Sequence, residues 1–162
     1  MNKRGHVLNA LLLSIGLGYV LEPAGDAATF LKIVEIGPPV VLGALFPDVD
    51  TAFGKHRKTL HNLPVLAFFL AYPHYFGNLG FVWAGVLTHY VLDVVGSKRG
   101  IALFYPWDEE FGLPVGVPTS SRWAEAVTVL VTGVEVAAIW GVLQVAPQVV
   151  PSVEAAVQAF GV

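Results

Sequence analysis

Residues 59–92, TLHNLPVLAFFLAYPHYFGNLGFVWAGVLTHYVL, contain no Asp, Glu, Lys or Arg. As one helix this run would be about 51 Å long at 1.5 Å per residue, against a bilayer hydrocarbon core of about 30 Å. It must therefore fold back on itself. Pro73, Gly77, Asn78 and Gly80 are turn-forming residues, and they predict a hairpin of roughly 63–75 and 79–96.

Outward from this run the chain keeps the same character. It has 162 residues, 55% hydrophobic and only 13% charged, with a mean hydropathy of +0.66. Water-soluble domains carry about 25% charged residues, so most of this surface must face lipid. Residues 5–21, GHVLNALLLSIGLGYVL, hold no charge when His6 is neutral, and they predict a first membrane helix of about 25 Å. Lys3 and Arg4 before it also suit a signal peptide, but no well-formed cleavage site follows, so the helix is read as retained. A second apolar stretch, 27–46, is expected to break at Pro38-Pro39, because a proline inside a helix removes a hydrogen bond and crowds the preceding turn. A last helix is expected over 123–146, with Pro147 and Pro151 separating it from a short tail. The expectation is thus one all-α integral membrane domain over 1–162, a polytopic bundle of four or five membrane helices with a long interfacial loop. There are no cysteines, which excludes disulfides and thiolate metal sites. A net charge of −3 offers no basic patch for nucleic acid.

Eight of the nine Lys and Arg residues fall on one side if the helices alternate: Lys3, Arg4, Lys55, Arg57, Lys58, Lys98, Arg99 and Arg122. The positive-inside rule makes that side cytoplasmic, and Lys32 is the exception. The same side collects the potential metal ligands: His6 at the start of the first helix, Asp48 and Asp50 in LFPDVDT, His56 and His61 in KHRKTLHN, and His89 and Asp93 in THYVLD. His89 and Asp93, four apart on a helix, share one face. Asp48 and Asp50 point the same way if the segment is extended. Each fragment alone has a plainer explanation. PDVD can cap a helix, KHRK can anchor the chain at the interface, and Asp93 can pair with Lys98 or Arg99. Those explanations do not account for four separate segments supplying His or Asp at one depth, where ionisable groups need partners. Imidazole with carboxylate suits zinc, manganese or iron, as one ion or two. His74 lies at the far end of the hairpin and is expected to be structural.

The blocks GHVLNALLLSIGLGY, LGALFPDVDTAFGKHRKTLHN and THYVLDVVGSKRGIALFYPW together resemble the YdjM-like family of bacterial and archaeal membrane proteins, described as predicted membrane-bound metal-dependent hydrolases. Where the family shows HR-G-x-T-H-S, this chain has His56-Arg57-Lys58-Thr59-Leu60-His61-Asn62, so both histidines match and the Gly, the Thr and the Ser do not. The resemblance implies a divalent metal held by His6, Asp48, Asp50, His56, His61, His89 and Asp93. It also implies hydrolysis of a phosphoester, with membrane lipid or a lipid-like molecule as substrate. Arg57 is expected to clamp phosphate through its planar fork, Asp50 to take part in catalysis, and Lys55 and Lys58 to attract an anionic head group. Phe104, Tyr105 and Trp107 are expected to anchor the loop at the interface, with Asp108, Glu109 and Glu110 as a solvated turn. Two other classes remain open: a non-catalytic module with a structural metal or polar site, and a small transporter subunit using Glu35 and Glu135 within the membrane.

Overall fold

The computed structural model describes residues 2–159, with side chains as far as 145. Five α-helices and one short 3-10 helix follow in order: α1 (Lys3–Leu21), α2 (Ala27–Leu45), the 3-10 turn (Pro47–Ala52), α3 (Leu63–Phe76), α4 (Val82–Val95) and α5 (Ala124–Ala159). Local signals mark their ends. The side chains of Asn2, Asp26 and Asn62 accept hydrogen bonds from the first-turn amides of α1, α2 and α3. Gly77 closes α3 in the left-handed conformation, φ 68°, with its N–H donated to the Pro73 carbonyl.

Among the described residues, three helical segments are long and apolar enough to cross a membrane: Lys3–Leu21, Ala27–Ala52 and Ala124–Val145. The α3–α4 hairpin is present and turns where its Pro and Gly residues predict, but each arm has 14 residues. An arm of that length rises about 21 Å, well short of a hydrocarbon core of about 30 Å. Both ends of the hairpin return to the end of the bundle that holds the start of α1.

Two expectations about proline differ from the structure. α2 does not break at Pro38-Pro39. The two missing N–H groups would have served the carbonyls of Val34 and Glu35, and both those residues are exposed. On the opposite side Ile36, Val40 and Ala44 pack against Ala10, Leu13 and Leu17 of α1 and Ala84 of α4, which holds the helix together. Likewise α5 continues beyond 146, past Pro147 and Pro151, to Ala159.

The crossing of α2 and α4 positions the site. A Cβ on Gly43 would lie 2.0 Å from the Val82 carbonyl oxygen, and one on Gly85 would lie 2.0 Å from that of Val40. Only glycine permits this approach. One residue beyond Gly43, the Ala44 carbonyl thereby reaches the His89 ring. The loop of 96–123 forms no extended strand, only isolated bridges between Ser97 and Val117 and between Ile101 and Phe111.

Candidate metal centre

Six of the seven expected ligand residues are buried at the end of the bundle where α1 begins, and only His56 is exposed. The 3-10 turn presents Asp48 and Asp50, the following loop presents His56 and His61, and α4 presents His89 and Asp93. The segment is a short 3-10 helix rather than extended, and it brings Asp48 to the Nε2 atoms of His61 and His89 and Asp50 to the Nδ1 atoms of His56 and His61.

Asp50, fully buried, accepts from two imidazoles: Oδ1 lies 3.0 Å from His56 Nδ1 and Oδ2 lies 3.0 Å from His61 Nδ1. It also accepts from the Leu60 amide at 3.4 Å. His89 Nδ1 lies 2.6 Å from the Ala44 carbonyl oxygen. Carbonyls and carboxylates only accept, so His61 and His89 must each donate through Nδ1. In a neutral imidazole the other nitrogen then carries a lone pair.

Those two lone pairs face each other, with His61 Nε2 and His89 Nε2 3.1 Å apart. Asp48 Oδ1 lies 3.8 Å from both nitrogens. Asp93 Oδ2 lies 3.9 Å from the first and 3.7 Å from the second. Two acceptors at this distance repel unless a proton or a cation stands with them. Burial lowers the His61 pKa below its ordinary value, against the opposing pull of the Asp50 and Asp93 carboxylates, which disfavours the proton. A tetrahedron with bonds of 2.0–2.1 Å has edges of about 3.4 Å. The distances from the two nitrogens to each other and to each carboxylate are close to that, so the imidazole pair with a carboxylate fits a divalent cation.

His6 lies over this group. Its ring stacks on His89 at 3.7 Å and 8°, and Nε2 is 3.5 Å from Asp93 Oδ1. Although the residue is only 1% exposed, neither ring nitrogen makes a hydrogen bond among the described residues. An imidazole taken out of water at both nitrogens is costly without a ligand. Among the described residues, two sets of side chains converge closely enough to hold an ion: His6, His89 and Asp93, and Asp48, His56 and His61.

Arg57 is not placed as a phosphate clamp would be. It is 6% exposed with φ 67°, and its guanidinium points inward. One terminal nitrogen donates to Ser97 Oγ at 3.1 Å, to the Arg99 carbonyl at 2.6 Å and to that of Gly100 at 3.3 Å; the other donates to Asp93 Oδ1 at 3.3 Å. It ties the 97–100 loop to the end of α4. Asp93 thus has a cationic partner in Arg57, where Lys98 or Arg99 was expected. Arg99 pairs with Glu110 at 3.1 Å, and Lys58 lies 3.4 Å from Asp108, so the acidic turn engages two of the site-side cations. Lys55 is exposed.

His74 is exposed at the far end of α3, outside the cluster. Glu35 pairs with Lys32 at 2.7 Å. Three contributors escape the sequence reading: the Ala44 carbonyl, Ser97, and Tyr90, whose hydroxyl donates to the Leu60 carbonyl at 2.6 Å. The Tyr90 hydroxyl also accepts from the Asn62 amide at 3.1 Å, so it holds the loop that carries His61. A tyrosine in an apolar helix needs such a partner, and that was its one available signal.

A small all-helical membrane bundle with a buried His/Asp centre at one end is the class of protein that fold and site define. The model of the YdjM inner membrane protein family matches residues 1–156, and the chain belongs to that family. No curated protein and no solved structure matches it.

Proposed function

We propose that the protein is a metal-dependent hydrolase that acts at the cytoplasmic face of the inner membrane on a phosphoester of a lipid or amphiphile. The observation that carries this is the pair of imidazole lone pairs fixed 3.1 Å apart between two carboxylates. In the proposal Asp48, His61, His89 and Asp93 hold the ion, zinc in the first instance, with manganese or iron as alternatives for nitrogen and oxygen donors. A bound divalent ion supplies Lewis acidity and brings the pKa of water toward ~7. Asp50 fixes the His61 ring by accepting the hydrogen bond from its Nδ1–H, the outer-shell arrangement that orients a metal-binding imidazole. His56 is the acid–base candidate. Its side chain is 43% exposed, its Nδ1–H is held by Asp50, and its Nε2 is left to take up a proton at the solvent edge. Exposed Phe104 and Trp107 on the loop suit the lipid interface and a substrate that arrives from it.

A second reading draws on the burial of the site. Four protein ligands complete a tetrahedron, and a closed set of this kind marks a structural ion. It would fasten the end of α2, the His61 loop and α4 together.

The test is metal analysis of detergent-purified protein followed by a panel of lipid and water-soluble phosphoesters. About one or two equivalents of metal, with turnover lost on chelation and recovered on adding zinc, is expected. Full metal occupancy without turnover of any phosphoester would leave the structural reading. The placement at the cytoplasmic face has its own check. The chain has no native cysteine, so single cysteines at Lys55 and Lys98 should both label from the cytoplasmic side with an impermeant reagent. Labelling from opposite sides would refute it.

A further inference from the structure

Below the His/Asp centre lies a second buried polar group that the mechanism above does not use. Asn9 Nδ2 donates to Thr132 Oγ1 at 3.0 Å and to Glu135 Oε2 at 3.0 Å. Thr88 Oγ1 lies 2.8 and 2.7 Å from the two Glu135 oxygens and also contacts Asn9 Oδ1. Asn9, Thr88 and Thr132 are each no more than 3% exposed. The residues come from three helices, α1, α4 and α5; Asn9 and Thr88 touch each other, and the Glu135 carboxylate engages both of them.

Their positions matter for what lies above them. Asn9 is three residues after His6, one turn further along α1, and Thr88 immediately precedes His89. The 3.7 Å stack of His6 on His89 spans the same two helices. A stack this close needs α1 and α4 held at a fixed separation. Apolar side chains can slide against each other at small cost, whereas a shared carboxylate with defined donors cannot.

We infer that Glu135 is a positioning residue for the metal centre: through Asn9 and Thr88 it sets the spacing of α1 and α4, and hence where His6 and His89 stand. The inference rests on the proposal that the centre binds a divalent ion.

Cobalt(II) titration of the detergent-purified full chain tests it, read by affinity and by the visible absorption that reports ligand geometry. Glu135→Leu should weaken cobalt binding roughly 10- to 100-fold, the range for losing an outer-shell support, and should shift the absorption band. Glu135→Gln should keep wild-type values. Its carbonyl can accept from Asn9 while its amide donates to Thr88, whose hydroxyl remains free to donate to Asn9. Thr88→Val should move in the same direction as Glu135→Leu, which keeps the inference testable if the leucine variant fails to fold. Leu17→Ala provides the structural control. It removes buried packing two turns deeper in α1, and it should lower thermal stability while leaving cobalt affinity and absorption alone. Wild-type affinity and spectrum in both Glu135→Leu and Thr88→Val would overturn the inference, as would an equal shift in Leu17→Ala. No cobalt binding by the unmodified protein would instead overturn the metal reading, and this inference with it.

Discussion

His89→Ala should remove bound metal, while His74→Ala should leave it unchanged. The two substitutions delete the same ring from the same helical hairpin, but the rings have opposite surroundings. His89 is fully buried, its Nδ1 tied to the Ala44 carbonyl and its Nε2 directed at His61, with Asp48 and Asp93 carboxylate oxygens 3.8 and 3.7 Å away. Its removal takes away one of the four donors proposed, leaves the Ala44 carbonyl without that partner and deprives His6 of the ring it stacks on. Outer-shell changes alone cost about 10- to 100-fold in affinity, so the loss of a direct donor should exceed that. His74 is exposed and touches Tyr75. The measurement is metal per protein after purification with divalent supplementation, with thermal unfolding as the control for folding. Equal retention in both variants would rule out the centre as drawn.

The parts of the molecule that could be read from sequence are those set by local rules. An uncharged run too long for one crossing, interrupted by Pro73, Gly77 and Gly80, specifies a hairpin, and the hairpin forms. His89 and Asp93 share a helical face because four residues make about one turn. The convergence of His6, His61 and Asp48 follows from topology alone, since alternating helices bring those segments to one end. What could not be read depends on side-chain direction. PDVD gives no sign that a 3-10 turn will send Asp48 toward the His61 and His89 nitrogens and Asp50 toward Nδ1 of two imidazoles. The Pro38-Pro39 pair reads as a break because local propensity is blind to Ile36, Val40 and Ala44 packing on the opposite side of α2. Arg57 looks like a surface cation amid Lys55 and Lys58. Its inward course depends on a left-handed backbone, φ 67°, which is uncommon for a residue with a side chain.

That inward course makes Arg57→Ala the most destabilising single change expected outside the ligand set. Four acceptors lose a donor at once: Ser97 Oγ, the Arg99 and Gly100 carbonyls, and Asp93 Oδ1. Asp93 is 1% exposed, and removal of one partner from a buried ion pair costs about 3–5 kcal/mol. At about 2–4 °C per kcal/mol for a chain of this size, thermal unfolding should fall by roughly 6–20 °C. Arg57→Lys should recover little of it, because an ammonium on a flexible stem does not reproduce a fork that spans the loop carbonyls and a carboxylate. Metal should narrow the deficit but not remove it. A divalent ion beside Asp93 restores positive charge there, yet it makes no bond to Ser97, Arg99 or Gly100. The experiment is unfolding of wild type, Arg57→Ala and Arg57→Lys in detergent, each with chelator and with added zinc. A phosphate clamp would give a different pattern: unchanged unfolding in Arg57→Ala, and weakened binding of inorganic phosphate to the metal-loaded protein. Finding that pattern would return Arg57 to the substrate side of the site and would require the guanidinium to leave the loop when phosphate binds.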